Sequence, residues 1–388
     1  MIETKKGQNL AEERIGIIFH GATGSLARRQ HLGGLLALCR EGGLPLSNGD
    51  RLMPDFLLVG RSEQRLSELG AETGLTRWTT DLDTALRSPE YPVFFDAAAT
   101  GQRREVLTRA IAAGKHIYTE KPIAGSVEDA MRLVSAARKA GVLHGAVQDK
   151  LFLPGFGKLR ELARDRFFGD ILEVRIEMGQ WVFDGTDQPA QRASWNYRKK
   201  DGGGLMLDMF PHWRYMIEGI VGPIRSINAT CRTHVPRRID EDGVPYDVDV
   251  EDSVFARMEI EGGAIASVNC SWCTRVRRDA TIQMQIDGTK GSAVATPSAC
   301  FVQTDTSTPR LGRSSDGAPK NPRDDWEELP IEGEPANSYR RGWELFLKHV
   351  AEGADFAPTL LEGAKDVQLA ELGYRSNIER RWIDVPPL

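Results

Sequence analysis

IIFHGATGSLA, residues Ile17 to Ala27, runs from an unbroken apolar segment through two glycines into a helical pattern. An apolar run without alternation is what a strand buried on both faces requires. Gly21 permits a tight turn, Gly24 lets backbone approach a bound group, and Ala27 lets the following helix pack closely on the strand. The helix N-terminus adds partial positive charge, so the turn suits a pyrophosphate. Gly21, Thr23, Gly24, Ser25 and Leu26 are therefore candidate dinucleotide contacts. The spacing is G-x-x-G-x-x-A, looser than G-x-G-x-x-G, and a βα turn that binds nothing is the competing reading.

Outward from this turn, strand and helix signals alternate. SLARRQHLGGLLALCR reads as helix, DFLLVG as strand, SEQRLSELGAETG as helix and PVFFDAAAT as strand. RREVLTRAIAAG is helical with Gly114 as its stop, and KHIYTE is a strand. SVEDAMRLVSAARKAG opens on a Ser126 cap and an acidic first turn, and VLHGAVQ is a further strand. Such alternation predicts a doubly wound parallel sheet, a Rossmann dinucleotide-binding domain over residues 1–148. The end of the second strand, LLVGRSEQR, lacks the carboxylate that holds an NAD ribose. Arg61, Ser62 and Arg65 there suit a 2'-phosphate instead, which favours NADP over NAD. Ala99 and Thr100, with Ala98 before them, leave room for a flat ring at the sheet's carboxyl edge.

From about residue 150 the pattern changes. A helix, FGKLRELARDRFF, leads into ILEVRIEMGQWVF, which alternates at period two. Strand follows strand in IRSINATCRTHV, DSVFARMEIEGGAIASVNCSWCTRV and ATIQMQIDGTKGSAVATP, with EGG and DGTKG as hairpin signals. Residues 149–388 are thus predicted to form an α+β domain with an open, mostly antiparallel sheet for substrate binding and oligomerisation. Its C-terminal helices, in SYRRGWELFLKHVAEG and LEGAKDVQLAELGYRSNIE, have the option of packing back on the first domain. TDTSTPRLGRSSDGAPKNPRDD reads as a long polar loop.

The chain of 388 residues is long enough for two cores. A formal net charge of -5 leaves no basic surplus for phosphate backbones, so no nucleic-acid partner is expected. The apolar runs are strand-sized, and the first residues lack a secretory pattern, so no membrane span and a cytoplasmic address are expected. Five cysteines form no framework. Cys270 and Cys273 lie in a strand-like run without a second pair, and no metal site is expected.

HIYTEKPIAG, His116 to Gly125, carries the chemistry. Lys121 follows a strand at the carboxyl edge, and Pro122 biases it away from helix. A lysine there can move a proton beside a nicotinamide, and an exposed Lys-Pro turn is the alternative.

With Glu120-Lys121-Pro122, the glycine-containing turn, RASWNYRKKDGGGLMLDMFPHW, VDVEDSVFARMEIEGGAIAS and QIDGTKGS, the chain resembles the Gfo/Idh/MocA family of nicotinamide-dependent oxidoreductases over nearly its whole length. The resemblance implies that Gly202 to Gly204 precede a catalytic pair, Asp208 and His212. It also implies that the Lys121–Pro122 peptide is cis, that Glu120 and Lys121 border the cofactor, and that the chain forms a homodimer or homotetramer. Asp208 and His212 are four apart and share one helix face, which would let Asp208 orient the imidazole. Two positions depart from the pattern: Tyr215 stands where an aspartate is common, and Lys150 where an arginine is. Gln148 and Lys150 are candidate substrate contacts, as are Trp195 and Arg198 in an inserted segment just after Trp181.

The expected activity is NAD(P)-dependent oxidation or reduction of a secondary alcohol on a sugar, polyol or glycoside. Lys121 and His212 handle the proton in this reading. Two alternatives share these residues: a redox-neutral glycoside-cleaving enzyme that retains its cofactor, and a non-catalytic NAD(P)-sensing protein.

Overall fold

The computed structural model describes residues 12–180, 185–275, 280–308, 322–331 and 337–388. The chain forms two units. The first comprises Met1–Ile123, Met131–Val147 and Tyr339–Leu360, and the second Ala124–Ala130, Gln148–Ser338 and Leu361–Leu388. Trp181 and residues 309–321 of the polar loop lie outside the described residues.

In the first unit the opening apolar run is β1 (Glu12–His20). A π-helical turn, Ala27–Leu32, continues into α1 (Gly33–Arg40). Then come β2 (Leu44–Pro45), β3 (Arg51–Val59), α2 (Glu63–Thr73), β4 (Trp78–Thr79) and α3 (Leu82–Arg87). β5 (Val93–Asp96), α4 (Thr100–Ala112), β6 (His116–Thr119), α5 (Val127–Ala140) and β7 (His144–Ala146) complete the alternation. Among the described residues the sheet has seven strands. Counted through its parallel strands, the order β4-β3-β1-β5-β6-β7 is the 3-2-1-4-5-6 winding of a Rossmann sheet. The winding reverses between β1 and β5, which opens a crevice at their carboxyl ends.

One boundary differs from the sequence expectation. PVFFDAAAT is not strand to its end: β5 stops at Asp96, and Thr100 opens α4. The Ala98 N–H donates to the Asp96 carboxylate at 3.2 Å, which turns the chain out of the sheet.

Ile17, Phe19, Val93, Phe95 and Tyr118 form the centre of this unit's core. The late helix α8 (Ser338–Glu352) supplies Trp343 and Phe346 to it, Trp343 lying 4.9 Å from Phe95 and 4.8 Å from Tyr118 between ring centres.

In the second unit α6 (Pro154–Arg164), β8 (Ile171–Gly179) and α7 (Leu205–Ile220) precede a run of strands. These are β9 (Ile224–Arg232), β10 (Arg237–Ile239), β11 (Pro245–Asp247), β12 (Ser253–Ile260), β13 (Ile265–Ser271), β14 (Ile282–Gly288), β15 (Gly291–Ala295), β16 (Cys300–Thr304) and β17 (Glu327–Glu328). The chain ends with α9 (Leu360–Glu379) and β18 (Ile383–Asp384). Nine described strands order as β17-β16-β15-β14-β8-β13-β12-β9-β18, and β10 pairs with β11 separately. The expected hairpins form at β12–β13 and β14–β15, while β8 runs parallel to β13 and antiparallel to β14. One face of this sheet packs against α7 through Trp213, Met216 and Ile217. Among the described residues no helix is long and apolar enough to cross a membrane.

Candidate active site

The first unit's candidate residues gather at the carboxyl ends of β1, β3, β5 and β6. Gly21 has φ +74°, and a Cβ there would lie 2.8 Å from the Ala98 N, so the turn admits glycine for two reasons. Gly24, Ser25 and Leu26 are exposed and Thr23 is half-buried. Turn and helix start together have the shape and polarity that a pyrophosphate needs.

At the end of β3, Ser62 caps α2, its Oγ accepting the Arg65 N–H at 3.3 Å. Arg61 and Arg65 are both exposed beside that helix start. Ala99 is exposed at the N-cap of α4, and Thr100 is buried in its first turn.

Sequence reasoning missed Asp96 and its partners. The buried carboxylate meets His20 Nδ1 at 2.6 Å and accepts from Arg103 Nε at 2.7 Å. Arg103 also donates to the Pro122 carbonyl at 2.5 Å and to the Ala98 carbonyl. One buried ion pair thus ties the β5 turn to the E-K-P segment. Burial pushes the Asp96 carboxyl up, but the His20 hydrogen bond and the Arg103 charge outweigh it, and the net shift is downward. The signal for this cluster was an aspartate closing an otherwise apolar strand.

Glu120 is 4% exposed and Lys121 half-buried, and the Lys121–Pro122 peptide is cis. Glu120 Oε1 meets His31 Nε2 at 2.7 Å, and its Oε2 accepts the Lys121 backbone N–H at 3.0 Å. The Trp343 indole N–H donates to His31 Nδ1 at 3.0 Å.

In the second unit Asp208 and His212 both lie on α7. The glycines before it pack tightly: a Cβ on Gly203 would sit 2.4 Å from the Asn196 carbonyl oxygen, and Gly204 has φ +116°. The Glu251 carboxylate accepts the Met206 N–H at 2.6 Å, capping the positive end of α7.

The His212 Nδ1 lies 2.6 Å from the Tyr215 hydroxyl, and Asp208 is ion-paired with Arg192 at 2.5 Å. Arg192 in turn stacks over Trp272 at 4.8 Å. The Tyr215 hydroxyl accepts the Lys150 backbone N–H at 3.1 Å and lies 3.4 Å from Asp149 Oδ1, the acceptor for its proton. Asp149 Oδ1 is also 3.7 Å from His212 Nδ1. A carboxylate beside both groups favours a proton on Nδ1, which leaves Nε2 as the basic nitrogen. The sequence reading gave the orienting role to Asp208; the contacts at Nδ1 of the imidazole are with the Tyr215 hydroxyl and Asp149.

Lys150 Nζ pairs with Asp149 at 2.7 Å. Gln148 is buried and donates to Asp366 at 3.3 Å, so its amide is engaged within the unit. Trp195 is half-buried in a 3-10 turn, Ser194–Tyr197. Arg198 stacks on Tyr246 at 4.4 Å and pairs with Asp240 at 3.3 Å, which fastens the β10–β11 hairpin. Burial raises both thiols of the C-x-x-C, Cys273 to about 12.

A family profile described as "Oxidoreductase family, NAD-binding Rossmann fold" matches residues 48–147. One described as "GFO/IDH/MocA C-terminal domain" matches residues 156–294. The chain is 43% identical to a D-xylose dehydrogenase of Paenarthrobacter nicotinovorans over 380 residues, covering 96% of this chain and 98% of the relative. It is 24% identical to a levoglucosan dehydrogenase of Pseudarthrobacter phenanthrenivorans over 357 residues, 83% of this chain and 88% of that one. Among solved structures, a levoglucosan dehydrogenase in complex with NADH and levoglucosan shares the fold. Its TM-score is 0.80 at 21% identity, over 97% of this chain and all of the other.

Proposed function

Since the chain belongs to the Gfo/Idh/MocA family of oxidoreductases, we propose that it is a sugar dehydrogenase. It oxidises a CH–OH group of an aldose such as D-xylose with a nicotinamide dinucleotide, NADP in preference to NAD. The observation that carries the substrate class is the 43% identity to a D-xylose dehydrogenase over nearly the full length of both chains. The preference for NADP rests on Arg61 and Arg65 at the exposed start of α2, where no acidic residue precedes Glu63.

A bound nicotinamide supplies the hydride acceptor in oxidation and the donor in reduction. Gly21 and Gly24 with Thr23, Ser25 and Leu26 hold its pyrophosphate, and Arg61, Ser62 and Arg65 its 2'-phosphate. Ala99, Thr100 and Glu120 border the ring end. The hydroxyl proton passes to Lys121 or to Nε2 of His212. Tyr215 and Asp149 keep the other imidazole nitrogen protonated. Lys150 and Trp195 are the substrate contacts this reading retains, and the protein acts as a homo-oligomer.

The test is nicotinamide absorbance on mixing the protein with oxidised NADP or NAD and D-xylose, other aldoses or levoglucosan. Sustained reduction beyond one equivalent per chain, faster with NADP, is expected. Reduction that stalls at one equivalent would replace net oxidation with a redox-neutral cycle. Faster turnover with NAD would overturn the cofactor preference alone.

A further inference from the structure

We propose that His31 and Trp343 are positioning residues for Lys121. They hold the Glu120 carboxyl in place through a proton pattern that only one tautomer of His31 allows. The inference rests on the functional reading above for the role of Lys121.

The indole N–H can only donate. Trp343 Nε1 lies 3.0 Å from His31 Nδ1, so Nδ1 carries a lone pair. The single proton of the neutral imidazole is then on Nε2, which donates to Glu120 Oε1 at 2.7 Å. A second proton on His31 would set one N–H against another in a site with no water contact, since His31 and Trp343 are both 0% exposed. Phe95 is apolar, and Tyr339 meets the ring edge-on at 4.7 Å. Glu120 and Tyr339 are titratable groups that meet the imidazole.

Two consequences follow for Lys121. The second Glu120 oxygen accepts its backbone N–H at 3.0 Å, so the root of the side chain is anchored through α8 and the helical turn that bears His31. The Glu120 charge beside it is also not cancelled by an imidazolium. Neutral His31 gives Glu120 a donor without a charge.

The deciding experiment is nitrogen NMR of the full-length protein with labelled histidine, combined with kinetics on variants. In the wild type, His31 should show an unprotonated Nδ1 and a protonated Nε2 at neutral pH. Trp343→Phe keeps the ring and removes the donor. The Nδ1 signal should then move, and kcat should fall by up to about 100-fold with the sugar KM little changed. His31→Gln, which still donates to Glu120, should retain most of the turnover, and His31→Leu should lose it. A protonated Nδ1 in the wild type overturns the inference. So does unaltered kcat in both Trp343→Phe and His31→Leu. Should His31→Leu fail to fold, the contrast between Trp343→Phe and His31→Gln decides. If the wild type oxidises no sugar at all, the functional reading falls, and the His31 spectrum still decides the proton pattern.

Discussion

Tyr215 meets His212 through a phenol where the family pattern commonly has a carboxylate, and the carboxylate enters one step further out as Asp149. Tyr215→Phe should therefore lower kcat by about 10- to 100-fold, less than the full worth of a general base, because Asp149 stays near the ring. Tyr215→Asp should recover part of that loss. Steady-state kinetics across pH checks both, and unchanged turnover in the phenylalanine variant would refute the assignment. Arg61→Ala should weaken NADP by about tenfold or more, the worth of one charge-assisted hydrogen bond, and leave NAD nearly unaffected. Equal losses for the two cofactors would sink the 2'-phosphate argument. The tight turn at Gly21 and the Ser126 cap were legible in the sequence because both follow from local backbone chemistry. His31 and Asp96 were not, because what makes them matter lies far along the chain. His31 meets Glu120 across 89 residues and Trp343 across 312, and Asp96 meets His20 across 76.

At the scale of elements, strand and helix alternation was readable because burial on two faces and amphipathic periodicity leave different patterns. Pairing was less so. Nothing in the alternation of ILEVRIEMG says that β8 lies parallel to β13, since both directions bury the same side chains. β17 and β18, two residues each, are too short to carry a period. Close packing between elements makes a sharper forecast. A Cβ on Gly16, inside β1, would sit 2.0 Å from the Glu90 carbonyl oxygen. Gly16→Ala should cost about 1–3 kcal/mol through backbone displacement, measured by denaturant unfolding. No loss would mean that the strand and the segment before β5 are not held together so closely. The junction between β5 and α4 adds a pH dependence. Asp96 has a lowered folded pKa, so its contribution to stability is present above its unfolded value near 3.8 and is lost as pH falls through the lower folded value. Asp96→Asn should destabilise the protein at neutral pH by about 3–5 kcal/mol, because Arg103 is left buried without its charge partner. It should also flatten the acid limb of the stability curve below pH 4 by about one proton. An acid limb as steep as that of the wild type would show that another carboxylate carries it.

The whole molecule departs from a simple division at residue 148. The segment Tyr339–Leu360 belongs with the first unit, although the chain spends about 190 residues in the second before supplying it. Its periodicity declared a helix with one apolar face, and no local signal could say which core that face would enter. The answer lies in shape complementarity: Trp343 fills the space among Phe19, Phe95 and Tyr118, and Phe346 stacks on Tyr118 at 4.7 Å. A dinucleotide-binding sheet made only of residues 1–147 would lack those rings and would leave His31 Nδ1 without its donor. Trp343→Ala should therefore cost about 3–5 kcal/mol, as large-to-small changes of buried aromatics do. The damage should appear far from the substitution in sequence. Hydrogen exchange should show amides of β1, β5 and β6 losing protection together. Cofactor binding should weaken even though every residue of the glycine turn is intact. Loss of protection confined to α8 would mean that the helix merely decorates the sheet. Concerted loss would make it part of the dinucleotide-binding core, completed by residues nearly 200 positions after β7.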